Sequence, residues 1–397
     1  MAVRFARRME GVRPNAIGDL LRHGADPELV SFAGGYPAPE LFPIAELRAV
    51  YASLLGGDDR NVLQYTVSHG LPSLRRHIAA RMTRDGVTCT PDEVLVLHGA
   101  QQGLDLVAKL LLDPGDVVVT ENPTFLGALI AFHPYEPVFA PVRMDDDGMD
   151  IDDLERVLAA NPRARMIYTM PDFQNPMGVT LALERRRRLV ELANRFDVLV
   201  LEDSPYRDLR FEGGWMPTLK SMDGEGRVVY LGSFSKTLVP GMRLGWAVAG
   251  GEIGAKLGLL KLAADTQCST LNMAAASAYL DRYDLDAHIA DVRAAYRRKR
   301  DLMLGILRES LPARVGFTNP DGGLFTWLTF PDGFDTAAFM RDEAMPRAKV
   351  AFVPGGTFYP VRQEPNHARV NFSGVSDERI VAGTTRLAGL LRAVLGP

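Results

Sequence analysis

The sequence predicts an α/β protein with a mainly parallel sheet covered by helices and a second, smaller α+β unit. Three observations carry that prediction. Between about residues 70 and 250, short continuously apolar runs alternate with amphipathic stretches of helical period, the pattern of strands buried on both faces. After about residue 285, strands and helices no longer alternate strictly. The 397 residues, 47% hydrophobic and 24% charged, suffice for more than one core.

Taken in order, residues 71–84 have helical spacing, 93–97 form a short apolar strand, and 101–112 are helical again. Residues 116–120, 165–170, 198–201, 228–231 and 244–249 are β-rich apolar runs, separated in part by helical stretches at 151–160 and 180–196. A long charged helix is expected over 286–309, strands over 324–330, 350–353 and 369–372, and a final helix from 377. The expected division is an N-terminal segment 1–45 that packs on the small unit or on a partner subunit, a large domain 46–285 and a small domain 286–397.

Composition excludes several classes. Lys plus Arg number 45 against 49 Asp plus Glu, a formal net charge of −4, which argues against a dedicated nucleic-acid binder. Arg185–Arg188 lie inside a helical pattern with acidic neighbours, so they are expected to form a solvated helix face. Cys89 and Cys268 are the only cysteines and form no CxxC or Cys/His cluster, which speaks against a disulfide scaffold and a structural metal site. No apolar run approaches the ~20 residues of a membrane span, and the basic start lacks a signal peptide's apolar stretch. A cytoplasmic protein is expected. GxGxxG, P-loop, HExxH and GxSxG motifs are all missing.

The chemistry is expected at the loops after the strand C-termini. A strand runs into Ser233-Phe-Ser235-Lys236, and Arg243 follows seven residues after the lysine. Two hydroxyls, turn amides and a guanidinium suit a phosphate. A lysine among such cations has a lowered pKa and suits a Schiff-base amine. Asp203 directly follows a buried strand, with Tyr206 three residues on; a carboxylate there can keep a heterocyclic nitrogen protonated. Asn175-Pro176 sits in a Pro/Asn/Gly turn and is a candidate cis bond. Gly99, Ala100 and Gln101 open a helix whose free amides make a phosphate seat.

The motifs GAQQ, ENPTF, FQNPMG, LEDSPY, SFSKTLVPGMR and ARVNFS, in this order, resemble the fold-type I, class I/II aminotransferases that use pyridoxal 5′-phosphate (PLP). The resemblance runs from about Phe5 to the end. SFAGGYPAPELFP and LQYTVSHG narrow it to the branch of 2-aminoadipate, kynurenine and multi-substrate enzymes. The chain also resembles the C-terminal half of winged-helix regulators, but the expected reading is an enzyme without their N-terminal DNA-binding module.

Position by position, the resemblance implies that Lys236 forms the Schiff base and moves the proton, through a delocalised quinonoid. Asp203 pairs with the pyridinium nitrogen, and Asn175 and Tyr206 hydrogen-bond the cofactor's phenolate oxygen. Ser233, Ser235, Arg243 and the amides around Ala100 and Gln101 hold the phosphate, while Phe125 stacks on the ring. Tyr65 reaches the phosphate of the neighbouring subunit, which implies a homodimer with shared sites. Arg369 clamps the substrate α-carboxylate, with Asn175, Gly35 and Tyr65 beside the substrate. No metal is implied.

Three positions depart from the family pattern: Phe125 where Tyr is common, Ala100 where Ser is common, and Gly18 where 2-aminoadipate enzymes carry an Arg for the distal carboxylate. With Phe125, Tyr36, Phe32 and Phe358 expected around the side-chain space, the reading is an aminotransferase for neutral, hydrophobic or aromatic amino acids and a 2-oxo acid. Arg22 is the nearest candidate to supply the missing cation. The alternative is another PLP outcome in the same site: elimination, replacement, racemisation or oxidation. A PLP-binding sensor without turnover is a third, disfavoured by the complete Lys/Asp/Arg set.

Overall fold

A computed structural model describes residues 3–9 and 28–396. Its centre is an eight-stranded sheet. In spatial order the strands are Val94–Leu97, Gly245–Val248, Val228–Ser233, Leu199–Asp203, Ala164–Thr169, Val117–Asn122, Val138–Asp145 and Gly148–Met149. The five from Val228–Ser233 to Val138–Asp145 pair in parallel, whereas Gly245–Val248 is antiparallel to both of its neighbours. The continuous apolar runs are the central strands, and Leu199–Asp203 and Val228–Ser233 are buried at every residue. Helices therefore cover both faces, as a parallel sheet requires. Among them, Pro72–Arg84, Ala100–Leu111, Ile151–Ala160 and Leu183–Arg195 fall close to their expected positions.

The second part of the chain centres on a four-stranded antiparallel sheet, ordered Gly316–Phe317, Phe325–Thr329, His367–Asn371 and Val353–Pro354. The helices Leu285–Ser310 and Asp377–Leu395 pack against each other beside it. The strand expected over 350–353 is two: Val350–Ala351 pairs with Val30–Ser31, and Val353–Pro354 joins the four-stranded sheet. Buried Phe352 separates them. Residues 28–31 are thereby stitched to the C-terminal part, with Val30 opposite Val350 and Arg379 Nη2 donating to Leu29 O at 2.6 Å.

Two helices, Gly251–Asp265 and Thr270–Arg282, had no counterpart in the sequence pattern. The first is apolar nearly all round and leaves Leu259 and Leu262 exposed, so it lacks the one-sided period that signals a helix.

The Arg185–Arg188 expectation needs correction. Arg185, Arg187 and Arg188 lie at the surface in ion pairs, but Arg186 is fully buried. It shares an inward helix face with Leu189 and Val190, three and four residues on. Its guanidinium bonds Asp172 at 2.9 Å and the carbonyls of Leu181, Pro171 and Pro217. Asp172 also meets Arg207 at 3.4 Å and Arg210 at 3.0 Å, and these guanidiniums hold its carboxyl below the usual range despite burial. Replacing Asp172 by Ala should therefore destabilise the fold by about 3–5 kcal/mol, because it strands buried cations. Urea unfolding of the two proteins checks this; an unchanged midpoint would contradict it.

Candidate active site

The parallel strands end on one edge of the sheet, and their following turns build a cavity of about 360 Å³, within the size range of small-molecule sites. Asp203 is the last residue of its strand, and Ser233 ends the next one before the turn that presents Lys236. Asn175 sits in the turn after Ala164–Thr169, where Asn175-Pro176 is cis, as is Asn122-Pro123. Phe325 and Arg369 reach in from the four-stranded sheet, and residues 33–37 close the top.

The polar groups are set against one another without neutralising. Lys236 Nζ donates only to Gly35 O, at 2.7 Å. Burial first, then the guanidiniums of Arg369 and Arg243, lowers this amine to about 8. Asp203 is buried; its Oδ2 accepts from the Tyr168 hydroxyl at 3.0 Å, while Oδ1 has no partner. Burial raises its carboxyl to about 7, against the opposing Tyr168 bond. Arg369 donates from Nη1 to Asn175 Oδ1 at 2.8 Å and from Nη2 to Ala33 O at 2.7 Å, leaving Nε unpartnered. It lies 4.2 Å over the Phe325 ring, a contact that favours a cation. Asn175 Nδ2 is 3.5 Å from the Tyr206 hydroxyl, and burial pushes that phenol up to about 12.

At the other end lies an anion seat. Gly99 has φ +76°, and a Cβ there would stand 2.8 Å from Arg243 Nη2, so the turn favours glycine doubly. Helix Ala100–Leu111 starts immediately after it, with first-turn amides that have no intrahelical partner. Arg243 itself adopts φ +54°, a conformation that is uncommon for a non-glycine residue and recurs at functional sites. The turn bond from Arg243 N to Pro240 O and a 3.2 Å bond from Nη2 to His98 O hold it there. Ser233 and Ser235 line the same end, joined by a 3.0 Å bond from Ser235 N to Ser233 Oγ.

Ten of the residues expected at the site, from Ala100 and Gln101 to Lys236 and Arg243, line this one cavity together with Gly35 and Arg369. Tyr65 does not: it is 81% exposed on the surface of its own chain. Of the expected side-chain pocket, Phe125 and Tyr36 line the cavity, but Phe32 and Phe358 do not. Phe32 is buried in the main core. Phe358 packs beneath the guanidinium of Arg369, 5.0 Å away, and against Trp327. Both are excluded from the cavity because their rings are packed into core clusters, Phe32 just after the strand Val30–Ser31 and Phe358 at the end of the short helical turn Gly355–Phe358. Phe325 takes that place, edge-on to Tyr206. Gly18 and Arg22 lie outside the described residues.

Sequence reasoning missed Tyr168, Phe325 and the carbonyl of Ala33, and it placed Gly35 at the site without foreseeing its bond to Lys236, all brought in by tertiary packing. It also gave no hint that His98, Asp265 and Cys268 place donor atoms within 4.8 Å of one another. There the Lys261 ammonium already bonds both Asp265 oxygens, at 2.6 and 2.8 Å, and supplies the positive charge. A larger groove of about 850 Å³ runs beside Arg210, Arg297 and Arg298. These three cations are paired with Asp172, Glu212 and Asp377.

The cavity fits PLP on the chain's own terms: a buried carboxylate with one oxygen unpartnered, an amine of lowered pKa and a phosphate seat surround a space walled by Phe125, Leu104 and Met170. Comparison with known proteins agrees. The profile of the family described as aminotransferase class I and II matches residues 40–387. The chain is 38% identical to aromatic-amino-acid aminotransferase 1 of Thermococcus litoralis, over 98% of this chain and 94% of that one. It is 36% identical to 2-aminoadipate transaminase of Thermus thermophilus, covering 98% and 97%. The crystal structure of Pyrococcus horikoshii kynurenine aminotransferase, in complex with PMP, superposes with a TM-score of 0.93 at 37% identity over 98% of this chain and 97% of that one. With motifs, fold and relatives in agreement, the chain belongs to the class I and II aminotransferases, enzymes that depend on pyridoxal 5′-phosphate.

Proposed function

We propose that this cavity carries out the amino transfer, with Lys236, Asp203 and Arg369 as its working groups, on α-amino acids with neutral hydrophobic or aromatic side chains. The observation that supports it is an amine without a carboxylate partner, a carboxylate without a cation and a guanidinium without an anion, all facing one space. When bound, PLP supplies an electron sink that makes the α-carbon of an amino acid acidic. Asp203 Oδ1 would keep the cofactor's ring nitrogen protonated, and Tyr168 fixes the carboxylate's orientation through Oδ2. Arg243, Ser233, Ser235 and the amides of Ala100 and Gln101 hold the phosphate. Asn175 and Tyr206 would donate to the cofactor's phenolate oxygen, and Phe125 would supply an apolar wall beside it. Arg369 grips the substrate carboxylate in the position that its bonds to Asn175 and Ala33 O predefine. Lys236 Nζ, whose pKa is lowered to about 8, is the amine lining the cavity that would anchor the cofactor and, once released by substrate, take up the proton from the substrate α-carbon.

The substrate class follows from charge. Among the described residues lining the cavity, the only cations are Lys236, Arg243 and Arg369, each already assigned a role. A distal carboxylate would be left unpaired beside Phe125 and Phe325, at a cost of several kcal/mol. A hydrophobic side chain there gains roughly 1.5–3 kcal/mol. The relatives named for aromatic amino acids and kynurenine support this reading; the relative named for 2-aminoadipate marks the competing one. A panel of amino donors with a fixed 2-oxo acid tests it. Phenylalanine, leucine and methionine should exceed 2-aminoadipate in kcat/KM by at least about tenfold, since each 1.4 kcal/mol is a factor of ten. The reverse order would sink the assignment and bring Gly18 and Arg22 back into question.

The assembly proposed is a homodimer in which Tyr65 completes the partner's site. Its 81% exposure and the exposed Leu63, Val67, Leu259 and Leu262 support an interface on that side. Sedimentation equilibrium should give twice the chain mass; a fully active monomer would contradict it. The division at residues 45 and 285 and a cytoplasmic location complete the proposal. Among the described residues no helix is long and apolar enough to cross a membrane, and Cys89 and Cys268 are unpaired.

A further inference from the structure

We infer that Glu121 is a positioning residue that holds Asn175, through Gln174, and thereby sets the orientation of the Arg369 clamp. The inference rests on the reading of Arg369 as the carboxylate clamp.

Glu121 is 1% exposed near the end of strand Val117–Asn122, with no basic side chain among its hydrogen-bond partners. Its Oε1 accepts from Thr169 Oγ1 at 2.6 Å and from Met170 N at 3.0 Å. Its Oε2 accepts from Gln174 Nε2 at 2.9 Å. The Gln174 amide is used at both ends: Nε2 also donates to Pro123 O at 2.9 Å, and Oε1 accepts from Met177 N at 2.9 Å. The next residue is Asn175, whose Oδ1 takes the 2.8 Å bond from Arg369 Nη1. Arg369 is otherwise fixed by hydrogen bonding only through Nη2 to Ala33 O, with Nε free. The angle of its guanidinium fork therefore depends on where Asn175 stands, and Asn175 stands where the Glu121–Gln174 contact puts it.

A buried carboxylate is an expensive acceptor for this task, and burial indeed raises Glu121 to about 7. Thr169, Met170 and Gln174 need acceptors, but no charge is required to satisfy them. What the carboxylate adds is stronger, acceptor-only bonding to three donors from one loop. Glu121→Gln keeps the shape but turns a donor toward the Gln174 amide. That amide must then either lose its bond to residue 121 or turn over and give up both Pro123 O and Met177 N. Gln174→Met removes the link while leaving Glu121 its bonds to Thr169 and Met170.

The test uses the PLP-loaded protein and two readouts besides the rate. One is the dissociation constant of 3-phenylpropionate, an unreactive carboxylic acid, measured by calorimetry; the other is the melting temperature. Glu121→Gln and Gln174→Met should each raise that constant, and the KM for amino donor and 2-oxo acid alike, by about tenfold, the size of one charge-assisted hydrogen bond. The kcat should change much less, since binding of ground and transition states is lost together. In an Asn175→Ala background, Glu121→Gln should add almost nothing, because two residues acting through one contact are not additive. Unchanged affinity and KM in Gln174→Met would overturn the inference, as would a full-size Glu121→Gln effect without Asn175. A lowered melting temperature with unchanged KM would reduce Glu121 to a structural part. Arg369→Ala separates the two claims: if it leaves 3-phenylpropionate binding unchanged, the clamp reading itself has failed.

Discussion

Replacing Lys236 by alanine is expected to lower kcat by roughly 10⁴-fold, the upper range for a positioned general acid–base group. The magnitude follows from the lack of any substitute. The other amine-like groups lining the cavity are the guanidiniums of Arg243 and Arg369, which cannot act as bases near neutral pH even though burial lowers Arg369 to about 10. Steady-state kinetics on the variant checks this; a loss of less than about tenfold would mean that another group moves the proton. The same amine sets a pH dependence. Only its neutral form attacks a carbonyl, and its pKa is depressed to about 8. The rate at which cofactor-free protein takes up PLP covalently should therefore rise about tenfold per pH unit below 8 and level off above it. A plateau reached only near 10 would show that Arg369 and Arg243 do not act on the lysine.

The second large effect is at Asp203. Asp203→Asn should still bind PLP, because Arg243, Ser233, Ser235 and the helix amides are untouched, but kcat should fall by about 10²–10³-fold, the size of one lost preorganised electrostatic partner. In the free protein the carboxylate stands at about 7, with Oδ1 unpartnered. It is held ready for a positive group that only a bound ligand can bring. An amide of the same shape keeps the Tyr168 contact and loses the charge. Near-native turnover in this variant would contradict the electron-sink role; loss of cofactor binding would instead place Asp203 in the cradle.

The parts of the site that were legible in the sequence are those written locally. Asp203 and Ser233 end apolar strands, and Lys236 and Asn175 follow one by a few residues, so a strand-end rule for parallel sheets finds them. The parts that were not legible come from far along the chain. Gly35 O meets Lys236 across 201 residues, and Ala33 O meets Arg369 across 336; no spacing encodes either. Tyr168 read as one more apolar strand residue, although its hydroxyl holds Asp203. Phe32 and Phe358 were reasonable wall candidates by composition, but tertiary packing took both into core clusters, while the strand Phe325–Thr329 put Phe325 in the cavity. Arg186 shows the same limit in a helix: a run of four arginines reads as surface, and only the buried Asp172 explains why one of them points inward.

Three lysines among the described residues have ammonium groups drawn into the interior, and they give the account its most direct test. Lys261 is paired with Asp265, and Lys299 with Glu40 and the carbonyls of Ser373 and Val375. Lys236 alone of the three meets no carboxylate, only Gly35 O. Borohydride trapping of the cofactor–protein bond, followed by peptide mass mapping, should place the added mass on Lys236 and leave Lys261 and Lys299 unmodified. Label on either of those two, with Lys236 free, would contradict the account.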